Sequence, residues 1–218
     1  MIDTASLARA RIDESIDVRY LLRSSNLPEV LDAVVEAVVA CLRRGGGVLF
    51  AGNGGSSADA GHLAAELLGR FKVDRDPLRA VALADNTAAM TAIANDYGYE
   101  ATFERQVRGL GRPGDVVIGL STSGRSRNVI GAFTAARALR MTTVAFTGAG
   151  GGPLAGHADH VLAVPSTDTA RIQECHVLLG HTMCEAVEQL LVGERAASDD
   201  LVRAVTDASD DALLDLLP

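Results

Sequence analysis

Five short apolar runs, at residues 48–51, 79–84, 115–120, 142–146 and 160–164, alternate with helical stretches at about 56–69, 87–96, 126–140 and 170–193. Runs of this length suit strands buried on both faces. Strands separated by helices are joined by crossovers, which make neighbouring strands parallel. The expected fold class is therefore α/β: one five-stranded parallel sheet flanked by helices on both faces, a flavodoxin-like or Rossmann-like αβα sandwich. Ligands in such sheets bind outside the carboxyl ends of the strands.

Two helices precede the first strand. Residues 3–24 carry Leu7, Ile12, Ile16, Leu21 and Leu22 as an imperfect apolar stripe. A second helix opens near Pro28, carries Val30, Leu31, Val34, Val35, Val38, Val39 and Leu42, and stops at Gly45-Gly46-Gly47. The chain divides into N-terminal helices (1–45), an α/β core (46–193) and an acidic tail (194–218), which is either a helix on a partner chain or a frayed end. Residues 98–114 hold a short helix around Phe103 to Leu110, and the Gly148–Gly156 segment is a lid or a turn.

Composition narrows the function classes. The 218 residues carry a net charge of −8, which argues against a nucleic-acid surface. No apolar stretch is long enough to span a membrane and no signal peptide is visible. Cys41, Cys175 and Cys184 lack metal or redox spacing and read as buried thiols in a reducing cytoplasm.

Two of the expected strands run directly into Gly/Ser loops that open helices: Ala51-Gly52-Asn53-Gly54-Gly55-Ser56-Ser57 and Ser121-Thr122-Ser123-Gly124-Arg125-Ser126. Glycine lets backbone N–H groups approach a ligand, serine adds hydroxyls, and the helix N-terminus adds positive potential. Without a Walker lysine this suits a phosphorylated small molecule better than a nucleoside triphosphate. The dinucleotide fingerprint also fails, because Ser57 stands where its third glycine belongs, so no nucleotide cofactor is expected. A serine nucleophile lacks its G-x-S-x-G context.

The helix behind the first loop carries His62 and Glu66 on one face, able to ligate a metal or to act as an acid/base pair; the bland alternative is a solvated polar face. The last long helix carries Gln173, Glu174, His176 and His181, with Val177, Leu178, Met183, Val187, Leu190 and Leu191 as an apolar face. Gln173 and His181 lie roughly 12 Å apart along a straight helix. If both serve one site, Gln173 precedes regular helix or the two come from different subunits. Asn95-Asp96, before Tyr97-Gly98, is a helix end or a sugar contact.

The ordered segments AGNGGSSADAGHLAAEL (51–67), NDYGY (95–99), GDVVIGLSTSGRSRNVI (114–130) and RIQECHVLLGH (171–181) resemble those of the sugar-isomerase (SIS) domain family, and within it the phosphoheptose isomerases. The resemblance spans about residues 5–193. It implies conversion of sedoheptulose 7-phosphate to D-glycero-D-manno-heptose 7-phosphate through an enediol, with Glu66 as carbon base and His181 as acid/base partner. It assigns the phosphate to Ser121, Thr122, Ser123 and Ser126, and the sugar to Asn53, Gly54, Gly55, Ser56, Glu66, Asn95, Asp96 and Gln173. It implies zinc on His62, Glu66, Gln173 and His181, and a cytoplasmic homotetramer with sites between subunits. Where some relatives carry Asp directly before Arg-Ile-Gln, this chain has Ala170, with Asp168 two residues earlier. The same resemblance leaves two other readings: a non-catalytic SIS-fold protein that associates with a replication initiator, or an isomerase for another sugar phosphate.

Overall fold

The computed structural model describes the backbone of residues 2–214 and the side chains of residues 2–193. Asp3 caps α1 (Thr4–Arg23) by accepting from the N–H groups of Ala5 and Ser6. Pro28 sits in the first turn of α2 (Leu27–Arg43), where its missing N–H costs nothing. Thereafter strand and helix alternate: β1 (Val48–Gly52), α3 (Gly55–Leu68), β2 (Ala80–Ala82), α4 (Thr87–Tyr97), a 3-10 turn (Tyr99–Ala101), α5 (Thr102–Leu110), β3 (Val116–Ser121), α6 (Arg127–Ala138), β4 (Thr142–Thr147), α7 (Gly152–Ala155), β5 (His160–Ala163) and α8 (Thr169–Leu214).

The five strands form one parallel sheet in the order β2-β1-β3-β4-β5. Alternate strand residues feed two separate cores. Val48, Phe50, Val116, Ile118, Val144 and Phe146 pack against α2, α3 and α8. Leu49, Ala51, Val117 and Ala145 pack against α5 and α6. Both faces of β1, β3 and β4 are therefore dry, and these strands read as continuous apolar runs because neither face meets water, whereas Val81 on the edge strand β2 is exposed. Truncating a fully buried Phe such as Phe146 to Ala would cost about 3–5 kcal/mol.

From β1 the chain steps outward to β2, then crosses back to β3 on the other side of β1. That reversal makes a crevice between the carboxyl ends of β1 and β3, paired up to Gly52 and Leu120. The two Gly/Ser loops leave from these two ends and so lie side by side.

Two apolar readings shift in three dimensions. Only Leu22 of the α1 stripe is buried; Leu7, Ile12, Ile16 and Leu21 are exposed. Leu178 and Leu190 are also exposed; Leu178 falls off the α8 stripe formed by Leu179, Met183 and Val187, while Leu190 lies on it near the end of the described side chains. The Gly148–Gly156 segment is a packed turn containing α7. Gly148 N–H donates to the Thr122 carbonyl and Leu154 N–H to the Gly124 carbonyl, so it props the second Gly/Ser loop from below. All three cysteines are buried and free. The side chains of the acidic tail lie outside the described residues.

Candidate active site

Helix α3 starts at Gly55 without a side-chain cap and delivers His62 and Glu66 on successive turns. Helix α8 crosses α3 at Gly180. A Cβ there would sit 2.5 Å from Leu63 Cδ1, so any side chain would force the buried Leu63 to move. The next residue, His181, thereby reaches His62. Their Nε2 atoms are 2.7 Å apart, and His62 Nε2 lies 3.5 Å from Glu66 Oε1. One ligand atom from each of His62, Glu66 and His181 falls within 4.8 Å of the others. Two imidazoles and a carboxylate match the donor set of a three-ligand zinc centre. Tetrahedral ligands about 2.0–2.1 Å from zinc lie about 3.3 Å apart, so holding a metal requires the two imidazoles to part by roughly 0.6 Å.

Gln173 is already inside regular helix, four residues into α8. Its amide lies against Gly55 and close enough to Asp59, one turn before His62, to favour that carboxylate. Burial pushes the Asp59 carboxyl up, opposed by that amide and by His62, and its Oδ2 is buried without a partner. The α3–α8 crossing thus sets Gln173 beside the start of α3 and His181 beside its end.

The second Gly/Ser loop turns tightly. Gly124 has φ +62, and a Cβ on it would strike the Gly151 carbonyl. Gly124 N–H returns to the Ser121 carbonyl at 2.9 Å. Ser126 stands at the N-cap of α6 but makes no capping bond; its Oγ lies 2.9 Å from Ser121 Oγ instead. The N–H groups of Arg127 and Asn128 at the start of this twelve-residue helix therefore take no serine cap, while that of Val129 donates to Asn128 Oδ1 at 3.1 Å. Thr122 is half-buried and Ser123 exposed on the same loop, with Ser123 Oγ accepting from Arg125 N–H.

The two loops are stitched together. Asn53 and Asn128 exchange amide hydrogen bonds at 2.9 Å in both directions, and Tyr99 Oη donates to Asn53 Oδ1 at 2.8 Å. Asn95 and Asp96 hydrogen-bond to each other on the exposed last turn of α4. The residue of that segment that touches the first loop is Tyr99. Asp168 caps α8 through the N–H groups of Ala170 and Arg171.

Beyond α3 the chain is pinned to α8. The carboxylate of Glu188 accepts from the N–H groups of Phe71, Lys72 and Val73 at 2.7, 2.8 and 3.2 Å. Burial pushes Glu188 up, but these donors and Arg75 prevail and hold it below the usual carboxylate value. Phe71 stacks on the His181 ring at 5.1 Å. Sequence reasoning missed Asp59, Tyr99, Asn128, Phe71, Arg75 and Glu188. Only Glu188 carried a signal: a carboxylate on the apolar stripe of the last helix, beside Val187. A cavity of about 370 Å³ between Arg79, Val81, Leu110 and Arg112 opens instead toward the amino ends of the strands.

A model of the SIS domain family matches residues 18–148. A phosphoheptose isomerase from Roseiflexus sp. (strain RS-1) is 54% identical over 183 residues, spanning 84% of this chain and 92% of that relative. A solved structure of phosphoheptose isomerase GmhA from Neisseria gonorrhoeae has a TM-score of 0.81 at 43% identity, covering 85% of this chain and 99% of that one. For a phosphoheptose isomerase from Francisella tularensis the TM-score is 0.83 at 36% identity, with 86% and 100% covered.

Proposed function

The chain belongs to the SIS domain family and, within it, to the phosphoheptose isomerases, and from that premise we propose that its site converts sedoheptulose 7-phosphate to D-glycero-D-manno-heptose 7-phosphate. The observation that carries the reading is the His62–Glu66–His181 cluster, brought together by α3 and α8. An aldose–ketose exchange needs a base for the carbon-bound proton and a partner for the oxygens. Glu66 takes a proton from C1 of the ketose. His181 donates to the C2 oxygen and removes the proton of the C1 hydroxyl. Glu66 returns its proton to C2, and the enediol becomes the aldose. Both groups end in their starting protonation state.

The phosphate rests on Ser121, Thr122, Ser123 and Ser126 and on the N–H groups at the start of α6, where the helix dipole favours a dianion. Asn53, Gly54, Gly55, Ser56, Asn95, Asp96 and Gln173 contact the sugar. Fixing the phosphate at one end of the chain orients C1 and C2 at the other, converting binding energy into alignment.

Zinc is the metal we assign to His62, Glu66 and His181, with Gln173 contributed by a neighbouring subunit as the fourth side chain, since within one chain Gln173 lies in regular helix beside the start of α3. When bound it would act as a Lewis acid toward substrate oxygens. Glu66 cannot be a tight ligand and a free base at one moment, so a loosely held ion that releases Glu66 is the form compatible with catalysis.

The assembly we propose is a cytoplasmic homotetramer with sites between subunits. The exposed Leu7, Ile12, Ile16, Tyr20 and Leu21 of α1 support it, since contiguous exposed apolar surface marks an interface. Light scattering should give four times the chain mass, and a monomer at micromolar concentration overturns that assembly. The function itself is tested by incubation with sedoheptulose 7-phosphate and detection of the aldose by NMR. Turnover of only another sugar phosphate, or of none, overturns it.

A further inference from the structure

Arg75 and Glu188 form an ion pair that is almost wholly inside the protein, their side chains 5% and 1% exposed, with Arg75 Nε 3.0 Å from Glu188 Oε1. Each member is tied to more than the other. Arg75 Nη2 donates to the Glu66 carbonyl at 2.8 Å, and Nη1 to the carbonyls of Leu67, Asp76 and Gly69 at 2.9, 3.0 and 3.3 Å. It thereby occupies the carbonyl end of α3, the turn that carries Glu66. Glu188 stands seven residues beyond His181 on α8, which places it two turns away on the same face. Its carboxylate gathers the N–H groups of residues 71–73. The loop so gathered presents Phe71, whose ring lies 5.1 Å from that of His181 with an interplanar angle of 20°.

A surface loop has no need of this construction. A buried ion pair is a weak source of stability compared with apolar packing of the same volume. What it does supply is fixed geometry, here between the one helix turn that holds Glu66 and the one helix that holds His181. We infer that the Arg75–Glu188 pair is a clamp that sets the spacing of Glu66 and His181, and that Phe71, carried on the clamped loop, fixes the plane of the His181 ring. Phe71, Arg75 and Glu188 are positioning residues for the proton transfers. This inference rests on the isomerase reading above.

The experiment uses the full chain, with Phe71→Ala, Phe71→Tyr and Glu188→Gln, steady-state kinetics on sedoheptulose 7-phosphate, and amide hydrogen exchange across residues 70–76. Loss of alignment without loss of contact should appear in kcat: Phe71→Ala lowers kcat by about tenfold while KM moves less than about threefold, and Phe71→Tyr, which keeps the stacked ring, restores it. In Glu188→Gln, one oxygen of the carboxylate becomes an N–H donor. The amides of residues 71–73 should then exchange at least about tenfold faster, with a matching fall in kcat. Adding Phe71→Ala to Glu188→Gln should lower kcat by less than the product of the two single effects, since both act in part through one ring.

A wild-type kcat in Phe71→Ala overturns the role of Phe71, whatever Glu188→Gln does and even if that variant fails to fold. Faster amide exchange in Glu188→Gln with undiminished kcat reduces the clamp to a structural contact. A wild-type protein that leaves sedoheptulose 7-phosphate unchanged defeats the isomerase reading instead, and the exchange measurement still reports whether Glu188 holds the loop.

Discussion

His62 and His181, 119 residues apart in the chain, meet with their Nε2 atoms 2.7 Å apart. Two imidazole nitrogens at that distance share one proton, because two N–H groups or two bare lone pairs would repel. Glu66 Oε1 lies 3.5 Å from the same His62 nitrogen, so a carboxylate and two imidazoles form one short chain of proton-handling groups.

Glu66→Gln keeps the shape of the side chain and removes its basicity. It should lower kcat by about 10²–10⁴-fold and abolish incorporation of solvent deuterium at C2, while binding of the sugar phosphate stays largely intact. Retained exchange at C2 in heavy water would remove Glu66 as the base.

Metal content separates a bound ion from a catalytic one. The protein as purified should carry zinc by elemental analysis, and His62→Ala should carry less than half as much, since one of three clustered ligands is gone. Full activity in protein stripped to sub-stoichiometric metal would exclude a catalytic ion and leave His62 as a partner of His181.

The phosphate loop should respond at KM. Ser126→Ala removes the hydroxyl paired with Ser121 and should raise KM for the sugar phosphate by about three- to tenfold, with a smaller change in kcat. Gly124→Ala should be worse, because its φ of +62 is unfavourable for alanine and the new Cβ meets the Gly151 carbonyl. Its expected signature is a lowered melting temperature together with lost phosphate binding. Unchanged KM in Ser126→Ala would place the phosphate elsewhere.

Acid should weaken the fold through a buried neutral imidazole. His176 is buried against Phe146, with Nε2 3.1 Å from the Thr147 carbonyl and Nδ1 without a partner. A carbonyl only accepts, so Nε2 carries the proton and the ring is neutral. Burial pushes its pKa down to about 4, although the Thr147 hydrogen bond pulls the other way. The unfolded chain therefore binds a proton between pH 6.5 and 4 that the folded chain refuses. Stability is full above pH 6.5 and falls as the pH drops, by up to about 3 kcal/mol below pH 4. Glu188, held below its usual value, adds a loss in the same direction only at lower pH. Urea unfolding at pH 7.5 and 5 should show the decline, and His176→Gln, which keeps a donor for Thr147, should flatten it. An equal decline in that variant would assign the effect to other groups.

The parallel sheet and its flanking helices were legible because both cores are built from local periodicity. Val48, Phe50, Leu49 and Ala51 alternate between two dry faces, and no distant residue is needed to read that run as a strand. The turn of the second Gly/Ser loop was legible for the same reason: Ser121, Gly124 and Ser126 lie within six residues of one another. Spacing alone gave His62 and Glu66 as neighbours on one helix face, but it left open whether that face was functional. The resemblance to a known family supplied the partner on α8.

The residues that escaped act across long separations. Tyr99 and Asn128 earn their places only against Asn53, and Phe71, Arg75 and Glu188 only against one another and His181. No period or motif joins residue 71 to residue 188. The acidic character of Glu188 on an apolar stripe signalled a buried partner without naming it.

By itself the sequence determined the fold class, the two Gly/Ser loops and the helix faces, because hydrophobic periodicity and glycine placement are local properties of a chain. Only the tertiary structure decided which side chains share a site. The strand order puts β1 beside β3, and Gly180 lets α8 close on α3, so that His181 reaches His62 and Glu66 while Gln173 lies along the start of α3. Those meetings depend on how helices cross and pack, which is set by shape complementarity over the whole core and not by any stretch of sequence.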